Sequence, residues 1–159
     1  MKKLITFCLI MATMFTVNAQ DNKPSKEETV AFIQRQFESL IGSKVRNSVI
    51  TKYDFDLARI YFEDRHNLQF TSSYTYTQIN WGNLFEVQRY ENDIILFFTT
   101  SIHKDYKAVK DNGSIVNSEA KFENYIQILV PSEKFESMKK AFLRLSEIAK
   151  EANKDPFQD

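Results

Sequence analysis

Between Lys44 and Val130 the chain has glycine only at Gly82 and Gly113 and no proline, and its apolar residues come in short runs rich in β-branched and aromatic side chains. Such side chains lose rotamer freedom against a helical turn but pack well on a pleated surface, so this stretch is expected to be strands. The runs place strands near 45–50, 54–62, 67–79, 84–90, 93–101, 103–109 and 121–130. Glu91-Asn92 or Asn92-Asp93 supplies the turn between the fourth and fifth, and Asp111-Asn112-Gly113-Ser114 is a strong turn signal after the sixth. Short connections between successive strands imply an antiparallel meander.

Two helical patterns flank these strands. Ser25 followed by Glu28 reads as a capping box, the serine oxygen accepting from the backbone three residues on while the glutamate reaches back. Val30, Ile33, Phe37, Leu40 and Ile41 then form one apolar stripe that Gly42 can end, predicting a helix over Lys26 to Ile41. At the other end Ser132 can cap, and Phe135, Met138, Phe142, Leu145, Ile148, Ala149 and Ala152 repeat at helical spacing before Pro156. The expected class is α+β: a meander of about seven strands, forming a barrel or curled sheet, with an N-terminal helix and a long C-terminal one.

Ahead of all this, Lys2 and Lys3 precede an apolar run from Leu4 to Val17, and Val17-Asn18-Ala19 offers small residues for a signal peptidase. Residues 1–19 are therefore expected to be a signal peptide, and 20–159 a single exported domain in the periplasm or outside the cell. Cys8, the chain's single cysteine, falls in the leader, so the expected mature chain has no disulfide and must be held by packing. No other long apolar run predicts a transmembrane segment. Without the two leader lysines, 19 basic residues face 21 acidic ones, which gives no bulk attraction for nucleic acid.

The order helix, seven short strands, long helix resembles a pleckstrin-homology-like barrel with an added N-terminal helix. The likeness is carried most by Thr77 to Phe98, where a polar-Ile-x-Trp segment, a short strand, a polar turn and an apolar strand follow one another. The end of the chain, Ala141-Phe142-Leu143 through Asp155-Pro156-Phe157, resembles small exported Bacteroidota proteins of unknown function. This resemblance implies a fold and not a lipid-binding role: phosphoinositide-binding members use a basic loop between their first two strands, where this chain has Thr51-Lys52-Tyr53-Asp54.

Both faces of the fifth expected strand are apolar, Ile94, Leu96 and Phe98 on one and Ile95 and Phe97 on the other. The N-terminal helix, with its unassigned stripe, is expected to cover Ile95 and Phe97 through Ile33, Phe37 and Leu40. Trp81 and Ile79 read as core residues near a bend, because apolar parity shifts between Phe70 and Trp81.

Chemical motifs are sparse. His66 lies in the polar run Glu63-Asp64-Arg65-His66-Asn67, expected as a solvated turn, and His103 on a strand edge; neither belongs to a metal or acid–base motif. There is no nucleophile elbow and no phosphate-cradling glycine loop. Asp54/Asp56 and Glu63/Asp64 are the closest carboxylate sets, the first expected on a wet strand face. Tyr74 and Tyr76 share one strand face, and Arg89 with Tyr90 sits on a strand nearby, the residue types enriched at recognition surfaces. The chain is thus expected to be a non-enzymatic binding or scaffolding module using Tyr74, Tyr76, Arg89 and Tyr90, with no cofactor, no metal and a protein partner or small apolar ligand. A carrier of an apolar ligand, motivated by the phenylalanine content, and a small hydrolase are the alternatives.

Overall fold

The computed structural model describes residues 23–67 and 69–154, so the expected leader and Pro156 lie outside the described residues. Helix α1 spans Lys26–Glu38 and begins as its sequence predicts: the Glu28 amide donates to Ser25 Oγ at 3.2 Å and the Ser25 amide to Glu28 Oε2 at 2.8 Å. It stops three residues before Ile41, because Gly42, at φ +84°, turns the chain so that its amide donates to the Ile50 carbonyl at 2.8 Å.

Seven antiparallel strands follow: β1 (Lys44–Val45), β2 (Ser48–Phe55), β3 (Arg59–His66), β4 (Phe70–Thr77), β5 (Leu84–Tyr90), β6 (Asp93–Lys110) and β7 (Ile115–Leu129). A 3-10 turn at Ser132–Lys134 leads into α2 (Phe135–Ala152), so Ser132 starts that turn instead of capping the long helix. The fold is α+β, with a curled seven-stranded sheet that does not close into a barrel. Among the described residues no helix is long and apolar enough to cross a membrane.

Strand β6 organises the sheet. It pairs with β7 along one edge, while the other edge takes β5 at 93–98 and β4 at 103–110. The two strands expected at 93–101 and 103–109 are thus one strand, and β4 and β5 act as two lengths of a single partner interrupted at 78–83. At the interruption Gln78 has φ +61° and the 3-10 turn Trp81–Asn83 sends Trp81 inward. Opposite it, β6 and β7 lose register between Phe97 and Ile102. Breaking both neighbours at one level lets the sheet bend sharply there.

The edges of the sheet are β1–β2, β5 and β7, and three side chains connect β2 and β4 to β7 and the β1–β2 turn to the β5–β6 turn. The Tyr53 hydroxyl donates to the Leu129 carbonyl at 2.6 Å, the Tyr76 hydroxyl to the Gln127 carbonyl at 3.3 Å, and Arg46 pairs with Glu91 at 2.6 Å. The tyrosines occupy carbonyls that an edge strand would otherwise leave unpaired.

The helices bury the inner face. Phe37 of α1 stacks on Tyr53 with ring centres 4.6 Å apart and meets Phe55 and Phe142 at 5.7 and 6.3 Å. Ile94, Leu96 and Phe98 are buried on that same side with Met138, Phe142 and Leu145 of α2. The helix therefore joins the core, but it does not cover Ile95 and Phe97 as expected. An unclosed sheet leaves more inner apolar area than one helix can bury, so both helices go to that side. Ile95 and Phe97 stay half-buried on the outer face, where Phe97 lies 6.3 Å from both Phe85 and Tyr125.

Two further local expectations change. Thr51 to Asp54 lies within β2 and is not a loop, and Glu63 to His66 is the end of β3 and not a solvated turn. In β2 an irregularity between Ile50 and Lys52 shifts the phase so that Tyr53 and Phe55 stay buried, and in β3 the alternation runs straight through the charged residues: Ile60, Phe62 and Asp64 are all buried on one face. His103 is likewise interior to the sheet, its strand pairing with both β4 and β7.

Candidate ligand-binding site

The seam between the free edges holds a cavity of about 320 Å³. Each element contributes by the register of its strand. Arg46 sits in the β1–β2 turn at φ 55°, Asp64 and His66 close the inner row of β3, and Tyr74 lies beside them on β4. Asp93 opens β6, Lys104 follows on its far half, and Gln127 comes from β7.

The carboxylates dominate its chemistry. Asp64 and Asp93 are only 5 % and 2 % exposed, and each has one oxygen, Oδ1, with no hydrogen-bond partner among the described residues. Asp93 Oδ2, by contrast, accepts from Gln127 Nε2 at 2.7 Å and faces Arg46 at 3.4 Å. Burial raises the Asp64 carboxyl above the usual carboxylate range, opposed by the hydroxyls of Ser48 and Ser72 and by His66. Burial also pushes the Tyr53 and Tyr74 hydroxyls up, with the Asp64 charge adding to it.

Lys104 shows how this wall treats a cation. Its Nζ lies 3.4 Å from Glu123 Oε2 and over the faces of Tyr74 and Tyr76, 5.9 and 5.7 Å from the ring centres. Phe62 stacks on Tyr74 with centres 4.5 Å apart, which fixes that ring at the wall.

Of the residues picked out in the sequence, Tyr74 and Tyr76 do share one face and both line the cavity, Tyr76 wholly buried. Arg89 and Tyr90 stand on exposed positions of β5, outside the lining. Sequence reasoning noted Asp64 only as one of a carboxylate set and missed Asp93, Arg46 and Lys104. One signal was legible: Asp64 continues the period-two row Ile60, Phe62, and a carboxylate in the apolar phase of a strand is costly unless it has a purpose.

His66 Nδ1 lies 3.2 Å from Ser48 Oγ, and Asp64 is also beside Ser48. The carboxylate reaches the serine, not the second imidazole nitrogen, so the three do not form the relay of a nucleophilic triad. Asp54 and Asp56 are on the exposed face as expected, both paired with Arg59.

No protein-family model, curated protein or solved structure matches this chain.

Asp64 gives the site a pH signature. Its carboxyl is raised in the fold, so its contribution to stability is fully present below the unfolded value near 4 and is lost as pH rises through the folded value. Asp64→Asn removes this loss. Urea unfolding at acid and neutral pH is expected to show the variant gaining on the parent as pH rises; a constant difference between them would mean that Asp64 titrates normally.

Proposed function

We propose that this chain is an exported, non-enzymatic binding module that holds a small polar ligand in the seam of its curled sheet. The observation that carries this reading is the pair of buried carboxylates, Asp64 and Asp93, which line one cavity and each keep one oxygen without a hydrogen-bond partner among the described residues. A buried acceptor without a donor costs about 1–3 kcal/mol, a cost that a bound molecule with donors would remove. Export is supported by the basic, apolar and small-residue order of the first 19 residues, and a pleckstrin-homology-like ancestry by the order of elements.

A carrier of an apolar ligand would use instead the groove of about 980 Å³ between α1 and α2, past Ala31, Phe32 and Ala141. Neither buried carboxylate lines that groove.

The test is saturation-transfer NMR with the small molecules extracted from the native envelope. Compounds are expected to be saturated by the parent protein and not by a folded Asp93→Leu variant. Equal saturation by both would move the site out of the seam. Turnover of a bound compound, lost in a folded His66→Ala variant, would replace the binding module with a hydrolase.

A further inference from the structure

Around the seam cavity carboxylates outnumber cations. Both of its cationic groups are already engaged by carboxylates outside the lining: Arg46 by Glu91 at 2.6 Å and Lys104 by Glu123 at 3.4 Å. Lys121 adds a further contact to Glu123 at 2.7 Å. Lys121 also pairs with Glu119 at 3.2 Å, so five carboxylates, Asp64, Glu91, Asp93, Glu119 and Glu123, face three cations, and the unpartnered oxygens belong to the two carboxylates that line the cavity. What the site lacks is one positive charge carrying several donors.

We infer that the seam cavity takes a small organic cation, a primary ammonium compound, its nitrogen between Asp64 and Asp93 and its carbon chain against Phe62 and Tyr74. This rests on the seam being the binding site and adds the charge class of the ligand. An ammonium group has three donors and no acceptor, so it pairs with carboxylates without turning a lone pair toward them, as a hydroxyl would. The aromatic wall already holds one ammonium, that of Lys104, over two ring faces. A calcium ion would want about six or more oxygens. Among the described residues no group of three or more His, Cys, Asp or Glu is placed to hold a metal. The volume of about 320 Å³ admits a molecule of several carbons.

The inference is tested by titrating the isotopically labelled protein with butylammonium, butyramide, butyrate and glucose while following backbone amide shifts. Butylammonium is expected to move the amides of Asp64, Asp93 and Gln127 saturably, and Asp93→Asn to weaken it about tenfold, the loss of a charge-assisted contact. Asp64→Asn is the second variant should Asp93→Asn fail to fold. Butyrate is expected to leave these amides in place. If butyramide or glucose fills the cavity as well as butylammonium, the charge class is wrong and the seam remains a binding site. If butylammonium binds both variants as it binds the parent, the carboxylates do not hold it and the inference fails. Absence of any shift with all four probes would overturn the inference and, with it, the seam as a ligand site.

Discussion

Phe37→Ala is expected to destabilise the protein by about 3–5 kcal/mol, the range for truncating a fully buried phenylalanine. Phe37 is 1 % exposed and touches rings from three directions: Tyr53 and Phe55 of β2 and Phe142 of α2. Those neighbours are anchored in different elements, so they cannot collapse together into the space left behind. A small domain is stable by only about 5–15 kcal/mol in all, so a large part of the margin is at stake. Denaturant midpoints measure the effect, with Phe85→Ala as the comparison. Phe85 is 56 % exposed on the outer face, and its truncation should change stability by about 0.5 kcal/mol or less. An unchanged midpoint for Phe37→Ala would mean that α1 rests on the surface and is not part of the core.

Trp81→Ala is expected to cost as much, about 3–5 kcal/mol, and to do so by a different route. The indole stacks on Phe142 with centres 5.8 Å apart, meets Phe55 and Phe98 edge-on at 5.9 Å each, and donates from Nε1 to the Leu57 carbonyl at 2.8 Å. It therefore ties the break between β4 and β5 to the β2–β3 turn and to α2. Trp81→Phe separates the contributions. It keeps most of the apolar bulk but leaves the Leu57 carbonyl without its donor, for an expected loss of about 1–3 kcal/mol. A Trp81→Phe variant as stable as the parent would show that the indole hydrogen bond adds nothing to the fold.

The local signals were legible where a single element carried them. The capping box at Ser25 and Glu28, the stripe of α2 and the turn at 111–114 each follow from backbone and side-chain chemistry within a few residues. So does the inward place of Trp81, whose break in apolar parity marks the point where one long strand became β4 and β5. The errors arose where a residue's neighbours in space differ from its neighbours in sequence. Glu63 to His66 is polar enough for a turn, yet β2 and β4 pair with it on both sides and hold it extended. Tyr74 and Tyr76 on β4 and Arg89 and Tyr90 on β5 are set apart along the sheet, since β4 and β5 bind opposite halves of β6.

Sequence alone determined the class of this protein, helix, seven-strand meander and helix, because periodicity, capping and turn chemistry act over a few residues at a time. Only the tertiary structure decided where the helices lie and what the sheet leaves open. The curl of the sheet turns Ile94, Leu96 and Phe98 toward both helices and leaves Ile95 and Phe97 outside. It also brings β2 and β4 close enough to β7 for Tyr53 and Tyr76 to reach its carbonyls without those strands pairing with it. The buried carboxylates of the seam come from strands 29 residues apart, Asp64 and Asp93, and the geometry that gathers them is set by the bend at residues 78–83. No local pattern records it, because a site between two unpaired edges exists only once the chain has folded around it.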